Sequence, residues 1–207
     1  MIVYVESNFV LELALEQEQY ASCDAIVTIC ESGEARLVIP AFCIAEPYET
    51  LGRRAIERGQ LKISLANELK LLSRSQSYKS AVDTLQYVTE VLIGSGKEEN
   101  RRLHEAFERI LKISEIVPLE QKLLAAAAKF QSDLDLKPPD SIVYASVLQH
   151  LATADVAINK CFLNRNSKDF DNPDIEAALN SHGCKLLFRF DSGFNYIQSQ
   201  IRSNAVT

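Results

Sequence analysis

The chain of 207 residues is 47% hydrophobic and 24% charged, the mix of a folded, water-soluble protein and not of a disordered, collagenous or fibrous one. Its longest purely apolar run, Leu123 to Ala128, is too short to cross a bilayer, and the start at Met1-Ile2-Val3-Tyr4 carries neither a basic n-region nor a cleavage site. Twenty-two basic residues against 28 acidic ones leave a net charge of −6, which argues against gripping nucleic acid by bulk attraction and leaves room for a local basic patch.

In chain order, Ile2–Val5 reads as a buried strand, a compact β-branched run bounded by polar residues. Phe9 to Leu15 and Tyr20 to Cys30 carry apolar residues at helical spacing, and Ser32-Gly33 closes the second. A strand follows at Arg36–Ile39. Residues 41–113 are rich in Leu, Ala, Glu, Lys and Arg, with breaks near Ser73–Ser77 and Gly94-Ser95-Gly96, which predicts three helices. Then come a strand at Glu115–Leu119, helices at Glu120–Leu134 and Ser141–Leu151, and strands at Lys160–Leu163 and Lys185–Phe190.

Strands alternating with helices predict an α/β fold: a five-stranded, mostly parallel sheet covered on both faces, in three layers, α/β/α. The whole chain, 1–207, is expected to form one domain. The second and third strands are separated by far more than the ~30 residues of an ordinary βα unit, so a helical insertion is expected at about 51–110. Within 51–80, seven basic residues (Arg53, Arg54, Arg58, Lys62, Lys70, Arg74, Lys79) stand against Glu57 and Glu68, a net of +5. That segment is either a solvated helix face or a phosphate-binding arm. The five cysteines (Cys23, Cys30, Cys43, Cys161, Cys184) are an odd set without close pairs, as expected of reduced thiols in a cytoplasmic protein.

Function in a parallel sheet gathers at the carboxyl ends of the strands, and four acids are expected there: Glu6, Glu46, Asp140 and Asp169. Glu6 ends the first strand, Glu46 follows the second by a turn or so, Asp140 opens a helix after Pro138-Pro139, and Asp169 follows the fourth strand. Converging carboxylates repel, and burial worsens the repulsion, so such a cluster is tolerable mainly around a divalent cation. Hard oxygen donors suit Mg²⁺ or Mn²⁺. Each acid also has a plain structural explanation: Asp140 as a helix cap or first-turn residue, Glu46 as a complement to a helix N-terminus, Glu6 as a solvated strand end, Asp169 as a turn aspartate.

The segments Val3-Tyr4-Val5-Glu6-Ser7-Asn8-Phe9, Val38-Ile39-Pro40 through Ala45-Glu46, Pro139-Asp140-Ser141-Ile142-Val143-Tyr144 and Phe162-Leu163-Asn164-Arg165-Asn166-Ser167-Lys168-Asp169-Phe170, taken in this order, resemble the site segments of PIN-domain nucleases. The resemblance covers roughly 1–50 and 112–192 and leaves the helical insertion outside. It implies a Mg²⁺- or Mn²⁺-dependent ribonuclease that hydrolyses RNA phosphodiester bonds, with Glu6, Glu46, Asp140 and Asp169 as metal ligands. Glu6 stands where the family usually has Asp, so its carboxylate reaches one methylene further; Asn166 takes a position often acidic there, with Asp169 as the acid assigned to the site. Ser7, Asn8 and Asn166 become auxiliary residues, Ser7 either near the metal or as the cap of the first helix. Arg165 and Lys168 become candidate phosphate contacts, and Arg53, Arg54 and Arg58 candidate RNA contacts. The implied settings are a toxin paired with an antitoxin or a stand-alone RNA-processing nuclease, with a homodimer among the expected assemblies. The rival reading is a PIN-like module that has lost its metal and binds RNA or a protein through the 51–110 helices.

Other signals fail. Leu92-Ile93-Gly94-Ser95-Gly96-Lys97-Glu98 has Val91 where a phosphate loop needs Gly and Glu98 where it needs Ser or Thr. His104, His150 and His182 lack metal-ligand spacing, and no Ser or Cys has a convincing base nearby.

Overall fold

Ile2–Val5 is apolar and buried at every position, as a strand paired on both sides and covered on both faces must be. It forms β1 at the centre of the sheet. The computed structural model describes residues 1–205, apart from the side chains at 80, 81, 83, 84, 86, 89, 204 and 205; the last two residues of the expected 1–207 domain lie outside the described residues. After β1 come α1 (Ser7–Leu15), α2 (Tyr20–Glu31) and β2 (Arg36–Pro40). Gly33, at φ 81°, makes the left-handed turn that closes α2, as the Ser32-Gly33 pair predicts.

Two long helices follow, α3 (Phe42–Leu72) and α4 (Lys79–Ile113), joined by a short 3-10 turn at Gln76–Tyr78. The expected break near Ser73–Ser77 is present, whereas the one at Gly94-Ser95-Gly96 is not: three helices become two. Neither glycine is needed for close approach, since a Cβ at Gly96 would meet Arg58 Nη1 at an ordinary 3.7 Å and one at Gly94 would meet nothing within 4 Å. Packing against α3 outweighs the ~1 kcal/mol that each glycine costs a helix. The base of α4 is tied to the body by arginines, Arg102 to the Ala14 carbonyl and Glu16, and Arg109 to Asp24 and Glu31. Tyr48 of α3 stacks on Phe107 of α4, 5.2 Å between ring centroids.

The chain continues through β3 (Ser114–Val117), α5 (Gln121–Leu134), α6 (Pro138–Leu151), β4 (Lys160–Leu163), the single turn α7 (Ser167–Phe170), α8 (Pro173–Ser181), β5 (Cys184–Leu187) and α9 (Phe190–Ala205). Where Phe188 to Phe190 was expected to extend the last strand, the chain leaves the sheet and enters α9, whose first amides at Phe190 and Asp191 donate to Gln19 Oε1. The five strands are all parallel, in the order β3-β2-β1-β4-β5. Helices α1, α2 and α9 pack on one face and α5, α6 and α8 on the other, giving the three-layer α/β/α arrangement. Gly193 lets α9 lie on β4, because a Cβ there would meet Leu163 Cδ2 at 2.6 Å. Strand order reverses at β1, so a crevice opens beside β1 and β4 at their carboxyl ends. The five cysteines are buried and unpaired.

Candidate active site

The crevice is a cavity of about 190 Å³ lined by Glu6, Asn8, Glu46, Pro139, Asp140, Val143, Asn164 and Asn166. No Lys or Arg is among these residues. Sequence-expected acids therefore meet from three elements: the end of β1, the second turn of α3 and the first turn of α6.

Glu6 is 6% exposed and caps α1: its Oε2 accepts from the Asn8 amide at 2.7 Å and its Oε1 from the Arg165 amide at 3.3 Å. The cap belongs to Glu6 and not to Ser7, which is the first residue of the helix; α1 accordingly starts two residues before the expected Phe9. Burial pushes the Glu6 carboxyl up to about 7, against the pull of those amides, and the neighbouring Glu46 adds to the rise. The Ser7 hydroxyl donates to Glu46 Oε2. Glu46 does not complement the dipole of α3 as a first-turn acid would, because the helix starts four residues earlier and has no acid in its first turn. Its side chain has another use.

Asp140 lies in the first turn of α6, behind prolines at the first two positions, and is not the cap, which is Lys137. Its carboxyl is raised above the ordinary range, first by burial and then by Asp169 and Glu46, while the Asn166 amide pulls the other way. Asn166 Nδ2 donates to Asp140 Oδ1 at 3.1 Å and to Asp169 Oδ2 at 2.7 Å, bridging the two. Asp169 does not line the cavity. It sits in α7, paired with Lys137 Nζ at 2.8 Å, and Lys137 and Asn166 hold its carboxyl below the usual range. The expected four-acid set is thus three acids facing the cavity and one turned to a lysine.

Sequence reading passed over Asn164 and Lys137. Asn164 is 2% exposed, lines the cavity and accepts the Asn166 amide at 2.8 Å. Its place directly after β4 was the available signal. Lys137 gives no sequence signal, since its partner Asp169 is 32 residues away.

The expected RNA contacts are placed differently. The Arg165 guanidinium turns away from the cavity to Glu12 and to Glu18 at 3.0 Å. Arg58 makes two hydrogen bonds to Glu99 of α4, at 2.7 and 2.9 Å, and so ties the two long helices together. Arg53 and Lys168 are exposed and Arg54 is half-buried. The three histidines serve structure: His150 bonds the Tyr4 hydroxyl, His104 the Asn100 carbonyl, and the His182 carbonyl accepts from Lys160.

The hard oxygen donors at the cavity suit a divalent cation in kind. In position they stop short: among the described residues, no three acidic, thiol or imidazole groups close on a common point.

The fold and the order of these segments define a nuclease-type α/β protein. The chain belongs to the PIN domain family, whose model matches residues 3–170. The matched span runs from β1 to the end of α7 and so brackets α3 and α4. No curated protein and no solved structure gives a match. The PIN domain is in general an RNA-acting fold that uses divalent metals. Among the described residues, no helix is long and apolar enough to cross a membrane.

Proposed function

We propose that this protein is a Mg²⁺- or Mn²⁺-dependent endoribonuclease. The observation that carries the reading is the cavity itself: the carboxylates of Glu6, Glu46 and Asp140 line it, burial and mutual repulsion raise the first and last, and no basic residue among the lining groups answers them. Elsewhere this chain neutralises a buried acid with arginine, so an unanswered set of acids at the switch point of a parallel sheet is a cation site.

Glu6, Glu46 and Asp140 would hold the ion, which supplies Lewis acidity to a phosphoryl oxygen and to the attacking water. The chain's own residues set the rest. Glu6 is oriented by the two amides it accepts, Glu46 by Ser7, and Asp140 by Asn166. Asn8 and Asn164 present amide groups at the cavity wall for the phosphate or its water. Asp169 acts through Asn166, as a positioning residue, and Lys137 keeps it anionic. Lys168, with Arg53 and Arg54, is available to the RNA backbone; Arg58 and Arg165 are engaged elsewhere.

The test is cleavage of a labelled single-stranded RNA with Mg²⁺, with Mn²⁺ and with chelator. Divalent-dependent cleavage is the expected result, and none under any of these conditions sinks the enzyme reading. The lack of a closed ligand set favours, as a second reading, a non-catalytic PIN module. Melting with added Mn²⁺ separates the two, since an ion that binds only the folded protein must raise its Tm.

A further inference from the structure

One tripeptide, directly after β4, touches two of the three acids at the cavity. Asn164 lines the cavity, the Arg165 amide donates to Glu6 Oε1 at 3.3 Å, and Asn166 Nδ2 donates to Asp140 Oδ1 at 3.1 Å. A loop segment keeps such bonds in place only if the loop itself is fixed to the body of the protein. Within the segment, the Asn164 side chain accepts the Asn166 amide at 2.8 Å, which sets the turn but not its position on the fold. The Arg165 side chain sets the position. Its guanidinium reaches away from the cavity to Glu12 of α1, and to Gln17 at 3.5 Å and Glu18 at 3.0 Å in the turn that follows that helix.

Glu12 is a firm post for that anchor. It is fully buried, its other oxygen accepts the Gln19 amide, and Gln19 Oε1 in turn accepts the first amides of α9 at Phe190 and Asp191. Three parts of the fold therefore hold one carboxylate still: α1, the entry to α2 and the start of α9. A buried ion pair is a poor source of stability, because apolar residues of the same volume usually serve as well, so its use here is better explained by geometry. Electrostatics agrees. A free cation next to Glu6 would repel an incoming metal ion, whereas a guanidinium drawn off to Glu12 and Glu18 leaves the cavity only its backbone amide.

We propose that Arg165 and Glu12 are positioning residues for the cavity: the pair holds the 164–166 segment where it orients Glu6 and Asp140 toward a bound ion. The inference rests on the reading of the cavity as a divalent-cation site. Glu12→Gln/Arg165→Met in the full chain tests it. Loss of Glu12 alone would mix stability with geometry by stranding buried groups, but the double substitution removes one charge of each sign and keeps an acceptor for the Gln19 amide. Affinity for Mn²⁺, read from the paramagnetic resonance signal of the free ion, is expected to fall at least about tenfold, and kcat on single-stranded RNA to fall as much while KM changes less than about twofold. Arg165→Lys keeps the charge without the fork that reaches Glu12 and Glu18 together, so its Mn²⁺ affinity is expected to lie between the two; it carries the test alone should the double variant fail to fold. Wild-type Mn²⁺ affinity in the folded variants overturns the proposal. So does a loss confined to KM with a flatter salt dependence, since Arg165 would then be an RNA contact. A wild type that binds no Mn²⁺ sinks the cation site and this inference with it, whereas a wild type that binds Mn²⁺ no more tightly than the double variant sinks the inference alone.

Discussion

Glu6 and Glu12 are both buried glutamates at the two ends of α1, and the fold treats them oppositely. Glu12, fully buried, accepts the Arg165 guanidinium and the Gln19 amide, so its charge is met on two sides. Glu6, almost as buried, is met by the backbone amides of Asn8 and Arg165 and by the neutral Asn8 side chain, faces Glu46 and has its carboxyl pushed up to about 7. The same loop serves both: Arg165 lends its backbone to Glu6 and its side chain to Glu12. On the proposed function, the acid without a side-chain cation is the one an ion from outside would meet, so the contrast sets a working end of the helix against a structural end.

The sharpest way to break the contrast is at the cavity. Asp140→Asn keeps the first-turn position and size but loses the charge a divalent ion needs, and RNA cleavage assays are expected to show a loss of more than about 100-fold with the melting curve nearly unchanged. Glu46→Gln should match it, and the double variant should lose little more, because ligands of one ion act as a unit. Unchanged turnover in Asp140→Asn removes that residue from the site.

At the structural end the effect moves from rate to stability. Glu12→Ala strips Arg165 and the Gln19 amide of their partner in a buried setting, for an expected loss of about 3 kcal/mol in chemical denaturation. A loss under about 1 kcal/mol would mean that Glu12 is no better neutralised than Glu6.

The pH dependence of the metal-free protein tests the other half of the contrast. The Glu6 carboxyl titrates near 4.5 ordinarily and near 7 in the fold, so folding favours its protonated form. Its contribution is complete below about pH 4.5 and is lost as the pH rises through about 7, an order of roughly 3 kcal/mol at most. Glu6→Gln should remove that part of the stability–pH profile and leave the metal-free variant steadier than wild type at pH 8. An identical profile in wild type and variant refutes the assignment.

Smaller effects belong to the periphery. Asp169→Asn breaks a pair whose lysine is largely exposed, so stability should change by less than about 1 kcal/mol, while turnover falls a few-fold through the loosened Asn166. Charge reversal at Arg53 and Arg54 should weaken RNA binding slightly and flatten its salt dependence, read from binding titrations at two or three salt concentrations.

The sequence by itself determined the α/β class, the five strands to within one to three residues at most ends, and the acids after β1, in α3 and at the start of α6, because those features are local: a β-branched run, a helical period, Pro-Pro before an acid. It misread what depends on the far side of a contact. The glycines at 94 and 96 look like a break until α3 lies alongside, and Phe188 to Phe190 looks like strand until Gln19, some 170 residues away, receives the amides of α9. Only the tertiary structure decided that Glu6 caps α1, that Asp169 turns to Lys137, and that Arg165 and Arg58 are spent on Glu12 and Glu99. Charge pairing is a matter of distance in space, and a linear chain records which charges it carries but not which of them will meet.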